Sequence, residues 1–462
     1  MSAILADLLA GPSPDSDKAR ARPSEKDDPA GLVDYLAGQF LQQPDNLLPL
    51  VQLAELLNRQ DSPDAAERLA DFVVATSKKP NEVRSGLIAK FNIARRRKNK
   101  DEIIAAADAI KAVDPTYVSA YHDVVTLHID ERNFALARHE LDAARAHNVE
   151  HTALTLDDSR VDYFEAFHYE KVSALRKTLL PGTDLLDSAG IEAEIVSAIE
   201  NERPYHFLRL GDGEGVAIGA MLFDDAFTVA RNHNLARNLN IWFGPSKPAI
   251  ELFIDRLQAP LLKAILNADL VGIPDIPPLR KTWKSEERGY FGYVNVIRLI
   301  DRIKRESPDI FRRMKFTGCH ANVGLQTRNS IHNILKKVDR CAIFTCHPQL
   351  EGVLKERFGL KEVTVYRTPS RAASANLFKS DLTAPHFPDV YYQILREIET
   401  MPRGTLCLNA AGFLGKMYAD AAKDRGGIIV DIGSVADFWL GYRSRQFTEG
   451  LSEADWRAQY TL

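Results

Sequence analysis

The run Phe207-Leu208-Arg209-Leu210-Gly211-Asp212-Gly213-Glu214-Gly215 reads as the end of a buried strand that breaks into a loop where three glycines alternate with two carboxylates. An apolar, helix-like segment follows over 216–223. Glycines in such a place permit positive φ and let the backbone approach a phosphate or sugar with no Cβ in the way. Asp212 and Glu214, two residues apart, are hard oxygen donors of the kind that Mg²⁺ or Mn²⁺ takes while sharing a substrate diphosphate. Gly211 and Gly213 are expected to meet a nucleotide-sugar here, and Asp212 and Glu214 to hold its divalent cation.

Other readings stand beside this one. Asp and Gly are ordinary turn residues, so the run is also what a plain connection looks like. Gly211-x-Gly213-x-Gly215 resembles the first motif of S-adenosylmethionine methyltransferases, and it half-matches a dinucleotide fingerprint that wants G-x-G-x-x-G and an acid about 20 residues on. The loop alone leaves these open.

Around the run, strands are expected at 205–210, 269–273, 314–317, 340–345, 363–366, 405–408 and 427–432, with helices between them at 191–200, 249–267, 289–306, 322–337, 350–358, 390–400 and 414–425. Such alternation predicts an α/β domain with a largely parallel sheet over 187–445. Ligands of open sheets bind beyond the carboxyl ends of the strands, where strand order reverses. The polar residues fall there: Pro274-Asp275, Cys319-His320-Ala321-Asn322, Cys346-His347-Pro348-Gln349, Asn409-Ala410-Ala411-Gly412 and Asp431-Ile432-Gly433-Ser434.

Residues 409–416, Asn-Ala-Ala-Gly-Phe-Leu-Gly-Lys, leave a strand and open a helix. Free N–H groups and the positive dipole end make an anion site, to which Lys416 adds a full charge. A Walker A loop is excluded, because the glycines stand too close and Met417 occupies the place of the metal-holding Ser or Thr. Arg209 either reaches the diphosphate or serves as a structural ion-pair partner. His320, His347, Asp431 and Asp437 all follow strands and are candidate general bases, Asp431 first among them. Cys319-His320 and Cys346-His347 raise the idea of zinc, although adjacent strand residues point to opposite faces and each pair offers one ligand more easily than two. Trp283, Tyr290, Phe291 and Tyr293, among Lys281, Lys284 and Arg288, are either core aromatics or a stacking surface for a base or sugar.

Three of these segments together resemble the bacterial glycosyltransferases of the GT-D type. That family shares an arginine-hydrophobic-Gly-Asp-Gly-Glu segment after a strand, as in Arg209-Leu210-Gly211-Asp212-Gly213-Glu214. It carries a late Gly-Pro-Thr-Ala-Lys segment, which residues 412–416 match at Gly412 and Lys416 only, and then an Asp-Ile-Gly strand end, as in Asp431-Ile432-Gly433. The resemblance implies a Rossmann-like fold and transfer from a nucleotide-activated sugar, with the Asp212/Glu214 pair serving metal and donor.

Upstream the grain is different. Gln43-Pro44-Asp45, Lys79-Pro80-Asn81 and Asp114-Pro115-Thr116 recur at intervals of 36 and 35 residues, and His147-Asn148 stands at the next equivalent turn. Two helical patterns lie between successive turns, which resembles a tetratricopeptide-like solenoid over 30–180. In the third unit Tyr121, Val124 and Val125 share one helix face and Ala137, Leu141 and Ala144 another. The basic run over 95–100 is expected in a solvated turn, where it could hold an acidic partner. Residues 160–179 read as one capping helix, and Pro181-Gly182 as the boundary. From Gly11 to about Asp28 almost nothing is apolar, so residues 1–29 are expected to be a disordered tail, with a second tail at 446–462.

The chain of 462 residues allows two to three domains. A formal charge of −4, from 59 basic and 63 acidic side chains, gives no basic field to argue for nucleic acid or an anionic membrane. No apolar run approaches a membrane span. Asp7 interrupts an N-terminus without basic residues, and four cysteines without a C-x-x-C pair fit reduced thiols, so a cytoplasmic protein is expected. The leading expectation is a glycosyltransferase whose repeats dock a protein acceptor or partner. An S-adenosylmethionine methyltransferase and a non-catalytic adaptor are the alternatives.

Overall fold

A computed structural model describes residues 23–26, 28–181, 185–222, 225–285, 287–372 and 384–444, together with 378, 382, 452 and 454–456. The tail expected over 1–29 lies outside the described residues as far as position 22, as does most of 446–462, and so does Phe223 at the end of the expected 216–223 helix. The chain divides into two compact units, Met1–Phe164 and Glu165–Leu462.

The first unit is a run of helices: α1 (Pro29–Gln42), α2 (Leu48–Arg59), α3 (Pro63–Thr76), α4 (Pro80–Arg97), α5 (Lys100–Val113), α6 (Val118–Asp130), α7 (Phe134–Ala146) and α8 (Thr152–Ala166). Proline opens α1, α3 and α4, where its missing N–H would have no partner in any case. Asn99 and Asn133 accept from the N–H groups of Glu102 and Leu136 and so cap α5 and α7. The expected faces of the third repeat are buried: Tyr121, Val124, Val125, Ala137, Leu141 and Ala144 are each at most 2% exposed. A backbone repeat invisible in the residue types accompanies them. Asp61, Lys98 and Arg132 all have positive φ at the turn between the two helices of their repeat.

The basic run differs from its expectation. Arg95, Arg96 and Arg97 lie in the last turn of α4 rather than in a loop. Arg97 meets Asp64 at 2.6 Å and Glu67 at 2.8 Å, and Arg95 meets Asp123 at 2.8 Å. The chain's own carboxylates take these charges, which leaves little for a partner. The expected capping helix over 160–179 is two helices, α8 and α9 (Tyr169–Leu179), and α9 belongs to the second unit. Arg176 of α9 is buried and donates to the carbonyl of Pro274 at 3.0 Å.

The second unit holds seven parallel strands: β1 (Tyr205–Arg209), β2 (Leu270–Ile273), β3 (Lys315–Gly318), β4 (Arg340–Thr345), β5 (Glu362–Arg367), β6 (Leu406–Asn409) and β7 (Ile428–Asp431). Every residue of β2, β6 and β7 is buried, because helices cover both faces of a parallel sheet and the strands read as unbroken apolar runs. Strand order is β3-β2-β1-β7-β6-β4-β5. The chain walks outward from β1 to β3, crosses the sheet, and returns so that β7 slots between β1 and β6, with Tyr205 opposite Ile428 and Asn409 opposite Asp431. The loops after β1, β6 and β7 are thereby brought to one place.

The helices of this unit are α10 (Ser188–Glu200), α11 (Asp212–Gly219), α12 (Thr228–Phe243), α13 (Ile250–Asn267), α14 (Ile276–Ser285), α15 (Glu287–Glu306), α16 (Pro308–Arg313), α17 (Ala321–Thr327), α18 (Ser330–Leu335), α19 (Leu350–Phe358), α20 (Tyr391–Ile398), α21 (Gly415–Asp424) and α22 (Val435–Trp439). The helix expected over 322–337 is broken into α17 and α18 at Asn329, which takes φ +60°. Helices α12 and α14 were not expected from the sequence; α12 buries Leu235, Leu239 and Phe243 together with two asparagines, Asn234 and Asn238.

A larger departure is at the glycine run. Helix α11 begins at Asp212, so these residues form a helix start and not an open loop. Gly211 has φ −93°, and a Cβ on Gly215 would stand 1.9 Å from the carbonyl oxygen of Gly292 on α15. Gly215 therefore serves the backbone-to-backbone crossing of α11 on α15. Trp283, Tyr290, Phe291 and Tyr293 are at most 8% exposed, and the Tyr290 hydroxyl donates to the Phe167 carbonyl at 2.6 Å. They are core, not a stacking surface. No helix among the described residues is long and apolar enough to cross a membrane.

Candidate active site

Asp431, the last residue of β7, is 2% exposed and is the point where the expected motifs meet. Arg209, the last residue of β1, donates to Asp431 Oδ1 from Nε at 3.1 Å and from Nη2 at 3.0 Å. Its Nη1 donates to the Cys319 carbonyl at 2.9 Å and to Asn322 Oδ1 at 2.7 Å, so one guanidinium ties together the ends of β1, β7 and β3. Lys416 donates to Asp431 Oδ2 and lies 3.6 Å from Glu214 Oε1. Burial by itself would raise the Asp431 carboxyl, but the charges of Arg209 and Lys416 outweigh it and hold the group below the usual carboxylate range. Such a carboxylate is a weak base, and as placed it pairs with two cations.

Gly433 belongs to the same cluster for a steric reason. Its φ is +50°, and a Cβ there would stand 2.1 Å from Arg209 Nη2. Gly412, with φ +62°, turns the chain from β6 toward α21, and Asn409 Oδ1 accepts from the N–H of Ala411 at 3.2 Å in the same turn. Helices α11 and α21 thus start from strands on either side of β7. The Glu214–Lys416 approach brings side chains of their first turns to one spot, while in α21 the N–H groups of Lys416 and Met417 already donate to the carbonyls of Phe413 and Leu414.

Asp212 and Glu214 are placed differently from the expectation. As the first and third residues of α11 they stand about 200° apart around the helix axis. Glu214 Oε2 accepts from the N–H of Gly211 at 3.0 Å, while Asp212 Oδ2 meets Arg288 Nη2 at 2.8 Å. Arg288 Nη1 donates to Asn238 Oδ1 at 2.7 Å, and Asn238 Nδ2 donates to the Gly213 carbonyl at 2.9 Å. The two carboxylates diverge, and each already faces a cation, so as placed they do not fit one shared metal ion. Among the described residues no group of three or more His, Cys, Asp and Glu is arranged to hold one.

The histidines separate. His320 is exposed at the start of α17, after edge strand β3. His347, after β4, is buried, and its Nε2 lies 2.8 Å from Asp437 Oδ1. Asp437 Oδ2 accepts from the Ser444 hydroxyl at 2.5 Å, and Tyr442 stacks on the imidazole at 5.6 Å. A carboxylate that fixes an imidazole is the arrangement of an oriented proton acceptor. A joint zinc site from the two Cys-His pairs is ruled out, because β3 and β4 are five strand spacings apart, roughly 24 Å.

Asn238 escaped the reading of the sequence, Asn322 was marked only as a polar residue after a strand, and Arg288 only as a basic neighbour of the aromatic segment. Their partners lie between 25 and 113 residues away along the chain, and no local pattern marks the pairing. No family model matches the chain, and neither does any curated protein or solved structure.

Proposed function

We propose that the second unit is a glycosyltransferase of GT-D type that transfers a sugar from a nucleotide-activated donor, and that the helical repeats dock a protein acceptor or partner. The observation that carries this reading is the meeting of Lys416, Arg209 and the first turns of α11 and α21 at the carboxyl ends of β1, β7 and β6. Two helix starts and a lysine at one spot favour a diphosphate, whose negative charge grows as it leaves. Asp431 keeps the cations in position. An acceptor hydroxyl oxygen attacks the anomeric carbon, the bond from that carbon to the diphosphate oxygen breaks, and the hydroxyl proton passes to His347, which Asp437 orients. A repeat array on the same chain raises the effective concentration of a docked acceptor.

The test is a thermal-shift panel of UDP, GDP and CMP, their hexose conjugates, and S-adenosylmethionine, since a ligand that binds the folded state alone raises its melting temperature. A shift with one nucleotide series, together with donor turnover that falls about 10²–10³-fold in Lys416→Ala, is expected. A shift with S-adenosylmethionine alone would transfer the reading to a methyltransferase, and no shift with any of them would favour the adaptor.

A further inference from the structure

Trp242, near the end of α12, is half-buried, whereas Trp283, Trp439 and Trp456 are 8%, 6% and 1% exposed. Its indole stacks on Phe413 with centroids 4.3 Å apart and planes 15° apart, and Phe413 packs in turn on Phe253 at 5.5 Å. Phe413 and Phe253 are 4% and 0% exposed, so the pile runs outward from the core and ends at the indole. A Cβ on Gly213 would stand 3.1 Å from Cζ2 of the same indole, which places the ring against the first turn of α11. Trp242 therefore touches both segments of the proposed diphosphate site, 211–214 through Gly213 and 412–416 through Phe413. One face rests on Phe413, one edge on Gly213, and Phe243 meets the ring edge-on at 6.3 Å, so the face opposite Phe413 is the one without a stacked ring among the described residues.

We propose that this outer face of Trp242 is the platform on which the nucleobase of the donor stacks. The inference rests on the glycosyltransferase reading and specifies the part of the donor that the charged cluster does not address. A flat, weakly polar heteroaromatic ring joined to a diphosphate needs a π-face beside an anion site, and this indole is such a face.

The experiment titrates the full-length protein with UDP, GDP, CMP and a hexose 1-phosphate, following tryptophan emission and melting temperature together. Trp242 is the one half-buried tryptophan among four, so one nucleotide series is expected to quench emission and raise the melting temperature. In Trp242→Phe the quenching should disappear while the fold is kept, and in Trp242→Ala nucleotide binding should weaken about ten- to hundredfold. If a nucleotide raises the melting temperature while emission stays constant, or quenching survives in Trp242→Phe, or Trp242→Ala binds as tightly as the parent, Trp242 is not the platform although the enzyme reading stands. Equal quenching by hexose 1-phosphate overturns the nucleobase assignment. If no nucleotide shifts the melting temperature, both readings fall.

Discussion

Replacing Asp431 by Asn tests the claim that this carboxylate organises the site. The change keeps the shape and removes the charge that faces Arg209 and Lys416 inside the second unit. Taking one partner from a buried ion pair costs about 3–5 kcal/mol. Arg209 keeps Asn322 Oδ1 and the Cys319 carbonyl, and Lys416 keeps Glu214, so a loss near the lower end, about 3 kcal/mol, is expected at pH 7. All four tryptophans (242, 283, 439 and 456) lie in Glu165–Leu462, so their emission follows the unfolding of this unit alone in a denaturant titration. The pH dependence has a definite sign. Because the folded-state value of Asp431 is depressed, its stabilisation is present above the unfolded carboxyl's value of about 3.9 and is lost as the pH falls through the folded value. The gap between parent and Asp431→Asn should be full at pH 7 and close in strong acid. A difference under about 1 kcal/mol at pH 7, or one that widens on acidification, would refute the central role given to this residue.

Three further outcomes are expected. Gly215→Ala should destabilise the second unit by about 3 kcal/mol or more, because the new methyl would meet the Gly292 carbonyl of another helix backbone, 1.9 Å away, rather than a movable side chain; an unchanged tryptophan-detected midpoint would mean that the two helices are not held in contact. His347→Asn should lower the transfer rate about 10²–10⁴-fold while donor binding stays constant, and a parent-like rate would exclude His347 as the proton acceptor. Mn²⁺ added without nucleotide should leave the melting temperature unchanged, since Asp212 and Glu214 diverge and face Arg288 and Lys416. A rise of several degrees with the ion alone would mean that the two carboxylates turn to share it.

Much of the architecture was legible along the chain. The seven strands are short apolar runs set between helical periods, and each was marked within a residue or two, because burial of a parallel strand on both faces leaves a local signature. The helical repeats were marked by prolines at fixed spacing and by apolar faces such as Tyr121, Val124 and Val125. That Asp431, Arg209, Gly433 and Lys416 belong to one candidate site was also expected, since each stands at a strand end or helix start where an open sheet exposes its ligand groups.

The arrangement of those residues was decided elsewhere. That β7 lies between β1 and β6 follows from strand order, and this order alone sets Asp431 between Arg209 and Lys416. Residues 211–215 have the composition of a turn. They form the start of a helix because Gly215 packs on Gly292, and that choice sends Asp212 and Glu214 to different neighbours. Trp242, Asn238 and Arg288 entered the site in the same way, through helices that cross α11. Apolar spacing and glycine or proline content report the backbone of a few residues at a time, whereas a site assembled from side chains up to 222 residues apart is fixed only when the strands have chosen their neighbours.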